Sequence, residues 1–112
     1  MKDSYIIFDY LKNILMNYAQ DMVVAINEPG HFYLNTHHIM KNKNPMYFAS
    51  TKVNKHYLSF HLMPVYVFPE ILDKVSPELK KRMQGKSCFN FKKFDDTLFD
   101  ELTALTRAGF HK

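Results

Sequence analysis

The sequence predicts an α+β fold: a two-layer sandwich in which a mainly antiparallel five-stranded sheet carries N- and C-terminal helices on one face. Three observations predict it. Apolar residues recur at spacings of three and four near both ends of the chain, they alternate with polar residues in several stretches between, and short turn-forming segments join those stretches. The resulting order is helix, four strands, two short helices, strand, helix, which places the helices together on one face of an antiparallel or mixed sheet.

In the first segment Ile7, Tyr10, Leu11, Ile14, Leu15 and Tyr18 form an apolar stripe, with Asp9, Lys12, Asn13 and Asn17 between them. That pattern predicts an amphipathic helix over residues 4–20, capped by Ser4 or Asp3. Residues 22–27 are short and β-branched, and Glu28-Pro29-Gly30 has the chemistry of a tight turn. In residues 31–38, Phe32, Leu34 and Thr36 alternate with Tyr33, Asn35 and His37, as on a half-buried strand. Residues 41–45 are polar and end in Pro, so they form a loop. Residues 46–53 are the next strand, and Asn54-Lys55 is a two-residue hairpin with Asn54 at positive φ.

Residues 56–69, HYLSFHLMPVYVFP, are the longest apolar-rich stretch and are expected at the centre of the fold. Period two turns Leu58, Phe60 and Leu62 to the core, and Tyr57, Ser59 and His61 away from it. Past Pro64 the chain leaves the sheet. Pro69 with Glu70, Ile71, Leu72 and Val75 opens a short helix, and Ser76-Pro77-Glu78 opens a second, with Gly85 as its stop. CFNFK, residues 88–92, is the last strand. Asp95 or Asp96 caps a final helix with a stripe of Leu98, Leu102 and Leu105, ended by Gly109.

A chain of 112 residues and 13.3 kDa without repeats or linkers is one domain, residues 1–112. By area scaling it removes about two-thirds of its unfolded surface from water, enough for one core. With 46% hydrophobic and 23% charged residues it has the composition of a soluble globular protein and not of a disordered one. Asp3, Asp9 and Lys12 break the N-terminal apolar pattern, so no signal peptide is expected, and no apolar run reaches the ~18 residues of a membrane span. The expectation is a cytoplasmic protein with no membrane partner. Cys88 is the single cysteine, which excludes an internal disulfide and four-Cys or Cys2His2 zinc sites. Gly30, Gly85 and Gly109 suit turns and helix ends, so no phosphate loop is indicated, and the cofactor is left unknown.

The sheet face turned away from the helices is the candidate ligand site. On it fall Tyr33, Asn35 and His37 from one strand, Tyr57, Ser59 and His61 from another, and Cys88 and Asn90 from the last. Tyr and His offer apolar area together with hydrogen bonds, which suits a small molecule, a metal or a protein segment. A wetted face with scattered polar contacts is the plainer alternative. His37 and His61 lack HxH or HxxxH spacing, so neither is assigned as a metal ligand. Cys88 with His61 is the one nucleophile and base pair that can be assembled, but no third residue orients it. A lone cysteine is usually a small buried hydrophobe; no catalytic residue is assigned, and the chain reads as a binding module.

The net charge of +4 comes largely from Lys74, Lys80, Lys81, Arg82, Lys86, Lys92 and Lys93, which face only Glu78 in the same window. An anion or nucleic-acid site on Lys80, Lys81, Arg82, Lys86, Lys92 and Lys93 is the second reading, set against a solvated basic face. Phe94 and its neighbours Phe89 and Phe91 could serve as stacking groups, but Phe89 and Phe91 share the core face, which disfavours nucleic acid. An aromatic sheet face also pairs with a copy of itself, so a homodimer is open.

The runs YLSFHLMPVY, SPELKKRMQGKSCFNF and FDELTALTRAGF resemble the YdhG-like family, small bacterial domains of unknown function, over most of the chain from Met46 onward. The resemblance implies a frataxin-like sandwich of helix, antiparallel sheet and helix, and a link to iron delivery. Iron sites of the frataxin type use a carboxylate-rich first helix and strand edge. Here those segments hold only Asp3, Asp9, Asp21 and Glu28, so no iron ligand is carried over.

Overall fold

Strand parity sets the two layers. In a computed structural model that describes residues 4–93 and 95–111, Phe32, Leu34, Ala49, Thr51, Leu58, Phe60, Leu62, Phe89 and Phe91 are all buried on one side of the sheet. Four strands carry them, β2 (His31–Ile39), β3 (Pro45–Val53), β4 (Leu58–Leu62) and β5 (Cys88–Phe91), while β1 (Val23–Glu28) completes the sheet without a buried residue. They pair in the order β1-β2-β3-β4-β5, each antiparallel to its neighbour, so the sheet is a simple meander.

Helix α1 (Ser4–Met16) and helix α4 (Asp96–Phe110) cover the apolar side. Ile7, Phe8, Leu11, Ile14 and Leu15 of α1 and Leu98, Phe99, Leu102 and Leu105 of α4 join the sheet residues in one hydrophobic cluster. The Phe99 ring stands edge-on to Phe91 with centroids 5.0 Å apart, at 81°. Each such fully buried Phe stabilises the fold by about 1.5–3 kcal/mol over its exposed state. Asp95 caps α4, its Oδ1 accepting from the Leu98 amide at 3.1 Å. Asp3 and Phe94 lie outside the described residues. Among the described residues no helix is long and apolar enough to cross a membrane.

The α+β sandwich of the sequence reading stands, with five local corrections. The central strand is β3 and not the 58–62 segment. The long apolar run there is a short strand followed directly by helix α2 (Met63–Val67), with Pro64 in its first turn, so its length reports a strand and a helix together. The turn between β3 and β4 spans residues 54–57 and not a two-residue hairpin: the Asn54 amide donates to the Tyr57 carbonyl at 2.8 Å. Among the described non-glycine residues, positive φ falls on Lys43 and not on Asn54. The first helix stops at Met16, and the rest of the stripe passes into a 3-10 turn at Ala19–Asp21.

Two glycines also have other roles than expected. A 3-10 stretch at Pro69–Lys74 leads to α3 (Pro77–Lys80), where Ser76 Oγ accepts from the Leu79 amide at 3.2 Å. That helix ends well before Gly85, whose φ of +85° serves the turn into β5. Gly109 lies buried inside α4 and does not stop it. A Cβ there would sit 2.7 Å from Pro64 Cβ, so the residue is bare to let α2 and α4 cross closely.

One irregularity places the candidate site. Leu34 pairs with Ala49 but Asn35 pairs with Tyr47, which leaves Phe48 as an extra residue in β3. This bulge turns Phe48 and Ala49 both into the core and reverses parity before them. Tyr47 consequently reaches the side of the sheet that the helices leave open.

Candidate functional site

Register lines up one row of residues across four strands on the open face. Tyr33 lies opposite Ser50, Ser50 opposite His61, and His61 opposite Cys88. A second row brings Lys52, Ser59 and Asn90 together. Over the first row lies a band of rings: Tyr33 stacks on Tyr47 at 4.5 Å and 24° between planes, and Tyr47 meets His61 edge-on at 5.1 Å and 72°. Both geometries are favourable for aromatic pairs.

Two polar tips of this band, those of Tyr47 and His61, are bonded to neighbours. Tyr47 Oη shares a hydrogen bond of 2.5 Å with Ser50 Oγ and donates at 3.4 Å to the His61 carbonyl. Burial pushes the Tyr47 phenol far above its ordinary range, so it stays protonated as a donor. His61 Nε2 lies 2.5 Å from Ser87 Oγ. Burial lowers the His61 pKa, which favours a neutral imidazole that pairs with the hydroxyl in either tautomer. Farther along, Asn54 Nδ2 donates to Ser59 Oγ at 3.3 Å, and Cys88 Sγ to Asn90 Oδ1 at 3.6 Å. Among the described residues none of these bonds uses the Tyr33 hydroxyl or the Asn35 amide, so the β2 side of the band is where polar groups are most available.

Of the residues expected here, Tyr33, Asn35, Ser59, His61, Cys88 and Asn90 share this half-buried surface. His37 does not join the row: it is exposed, four residues along β2 from Tyr33 and thus about 13 Å away at strand rise. Tyr57 sits in the β3–β4 turn, exposed, because the strand begins one residue later. Tyr47, Ser50 and Ser87 were not anticipated. Ser50 follows from parity within β3, but Tyr47 depends on the bulge, and Ser87 lies just outside β5 where no periodicity reports on it.

The chemistry this arrangement supports is narrow. His61 faces Cys88 across the ladder yet bonds Ser87, and burial pushes the Cys88 thiol up, away from the reactive thiolate. No three His, Cys, Asp or Glu side chains converge as a metal site among the described residues. On the far edge, Lys80, Lys81, Arg82, Lys86, Lys92 and Lys93 are all exposed. The Arg82 carbonyl accepts from the Asn90 amide at 2.8 Å, which seats Arg82 beside β5. Arg82, Lys92 and Lys93 share a concavity with Asp95, while Lys86 extends over the Tyr66 ring at 5.8 Å.

No protein-family model, no curated protein and no solved structure matches this chain.

Proposed function

We propose that the protein is a non-enzymatic binding module of the YdhG-like type, which uses the open sheet face to hold a small uncharged molecule bearing an aromatic ring and hydrogen-bonding substituents. The carrying observation is the continuous Tyr33, Tyr47, His61 band on the sheet face opposite α1 and α4. A ring on the ligand extends the band by stacking, and its polar substituents meet the Tyr33 hydroxyl and the Asn35 amide. Burial raises the pKa of the half-buried Cys88 thiol and keeps it from the reactive thiolate, which favours binding over catalysis. The sequence runs quoted above and the α+β architecture support the family placement.

A second reading rests on the convergence of Arg82, Lys92 and Lys93 at one concavity, which suits an anion. One experiment separates the two: NMR shift mapping against nucleosides, aromatic amino acids and inorganic phosphate. Shifts at Tyr33, Asn35, Tyr47 and His61 with a ring-bearing compound are expected. Shifts confined to Arg82, Lys92 and Lys93, and fading as salt is raised, would move the function to the basic edge. A dimer on sizing with Tyr33 and Tyr47 protected would make a second copy the occupant of the face.

A further inference from the structure

Residues of β2, β3, α2 and α4 line a cleft of about 290 Å³ between sheet and helices. Its walls differ in stiffness. One is aromatic: Phe48 and Phe110 stand edge-on at 6.2 Å, and Tyr18 braces Phe110 at 4.6 Å. The other is the thioether side chains of Met22, Met46 and Met63, which are unbranched and adapt to the shape of a guest. The two elements that cross at Gly109 and Pro64 close the bottom.

Among the described residues the lining carries no charged side chain. Its polar groups are already engaged: Thr36 Oγ1 donates to the Met46 carbonyl at 3.0 Å, and the Tyr47 hydroxyl is bonded on the open face. A charged guest would lose its hydration with nothing to replace it. An apolar cavity of ~150 Å³ already takes up benzene, and this one is about twice that size. At the rim, Val67 is 41% exposed, so an apolar side chain stands at the entrance.

We propose that this interlayer cleft is a second binding site, for one small uncharged aromatic molecule of about two fused rings. The bulge at Phe48 builds it, because that one extra residue sends the Phe48 ring into the cleft wall while Tyr47 turns to the open face. The site is independent of the open-face reading, and its failure would leave that reading standing.

Titration of the intact chain with naphthalene, followed by the methionine methyl signals in NMR, tests it. Ring-current shifts are expected at Met22, Met46 and Met63, with Met16 and Met83 unmoved. Naphthoate, the same rings with a carboxylate, is expected to bind at least about tenfold more weakly. Val67→Trp, a change at an already exposed rim position, should lower naphthalene affinity by a similar factor. Equal binding of naphthalene and naphthoate, uniform shifts at all methionines, or no shift at Met22, Met46 and Met63 would each overturn the proposal. The naphthoate comparison keeps the test decisive even if the Trp variant does not fold.

Discussion

On the open face, polar side chains satisfy one another in pairs, Tyr47 with Ser50, His61 with Ser87, Asn54 with Ser59 and Cys88 with Asn90. The cleft lies one side chain away, because Tyr47 borders both regions. There the lining is methionine and phenylalanine, and its scarce polar groups point elsewhere. A guest on the face must exchange or add hydrogen bonds, so its net gain is the small difference between two bonded states. A guest in the cleft gains mainly by leaving water. The face is therefore suited to discriminate between ligands by their polar groups, and the cleft by size and charge.

Three changes break or sharpen this contrast. The largest effect is expected from Phe60→Ala, which removes a fully buried ring from the sheet's inner surface, directly behind the open face of β4. Urea unfolding should show a loss of about 3–5 kcal/mol, as for other buried Phe truncations. Next is Gly109→Ala. Its methyl meets Pro64 at 2.7 Å, where a ring side chain at a helix start has little room to give. A loss of about 1–3 kcal/mol from overpacking should exceed the roughly 1 kcal/mol gained from helix propensity. The variant should alter cleft methyl signals while the Tyr33 and His61 signals stay in place, which would show that the two regions are separable.

The smallest effect is electrostatic and belongs to the face alone. Burial holds the His61 pKa below its ordinary value near 6.5. The unfolded chain therefore binds the proton first, and stability is full above that value and falls as pH drops toward the lower folded value. Urea midpoints of the natural chain and of His61→Gln, measured between about pH 5 and pH 8, should differ in slope below pH 6.5, with the variant flatter. Equal slopes would place the imidazole in water and loosen the band at its His61 end.

Much of this architecture was legible because it is local. Leu58, Phe60 and Leu62 alternate with Ser59 and His61, and that alternation alone assigns the buried and open faces of β4. Ser76 before Pro77 and Asp95 before the last apolar stripe announced their helix starts in the same way. Tyr57 and His37 illustrate the limit. Their parity was compatible with the face, but a strand that begins at Leu58 leaves Tyr57 in a turn, and the ladder irregularity past Asn35 leaves His37 outside the row.

The chain's own pattern thus determined the class of fold, the side of each regular strand that meets the helices, and the caps at Ser76 and Asp95, since all of these follow from spacing within a few residues. Tertiary structure decided the rest: the extra residue at Phe48, the approach of Ser87 to His61, the bare crossing of Gly109 over Pro64, and the cleft. Each of these depends on two segments distant in sequence competing for one volume. A periodicity of two or of 3.6 carries no information about which neighbour will claim that volume.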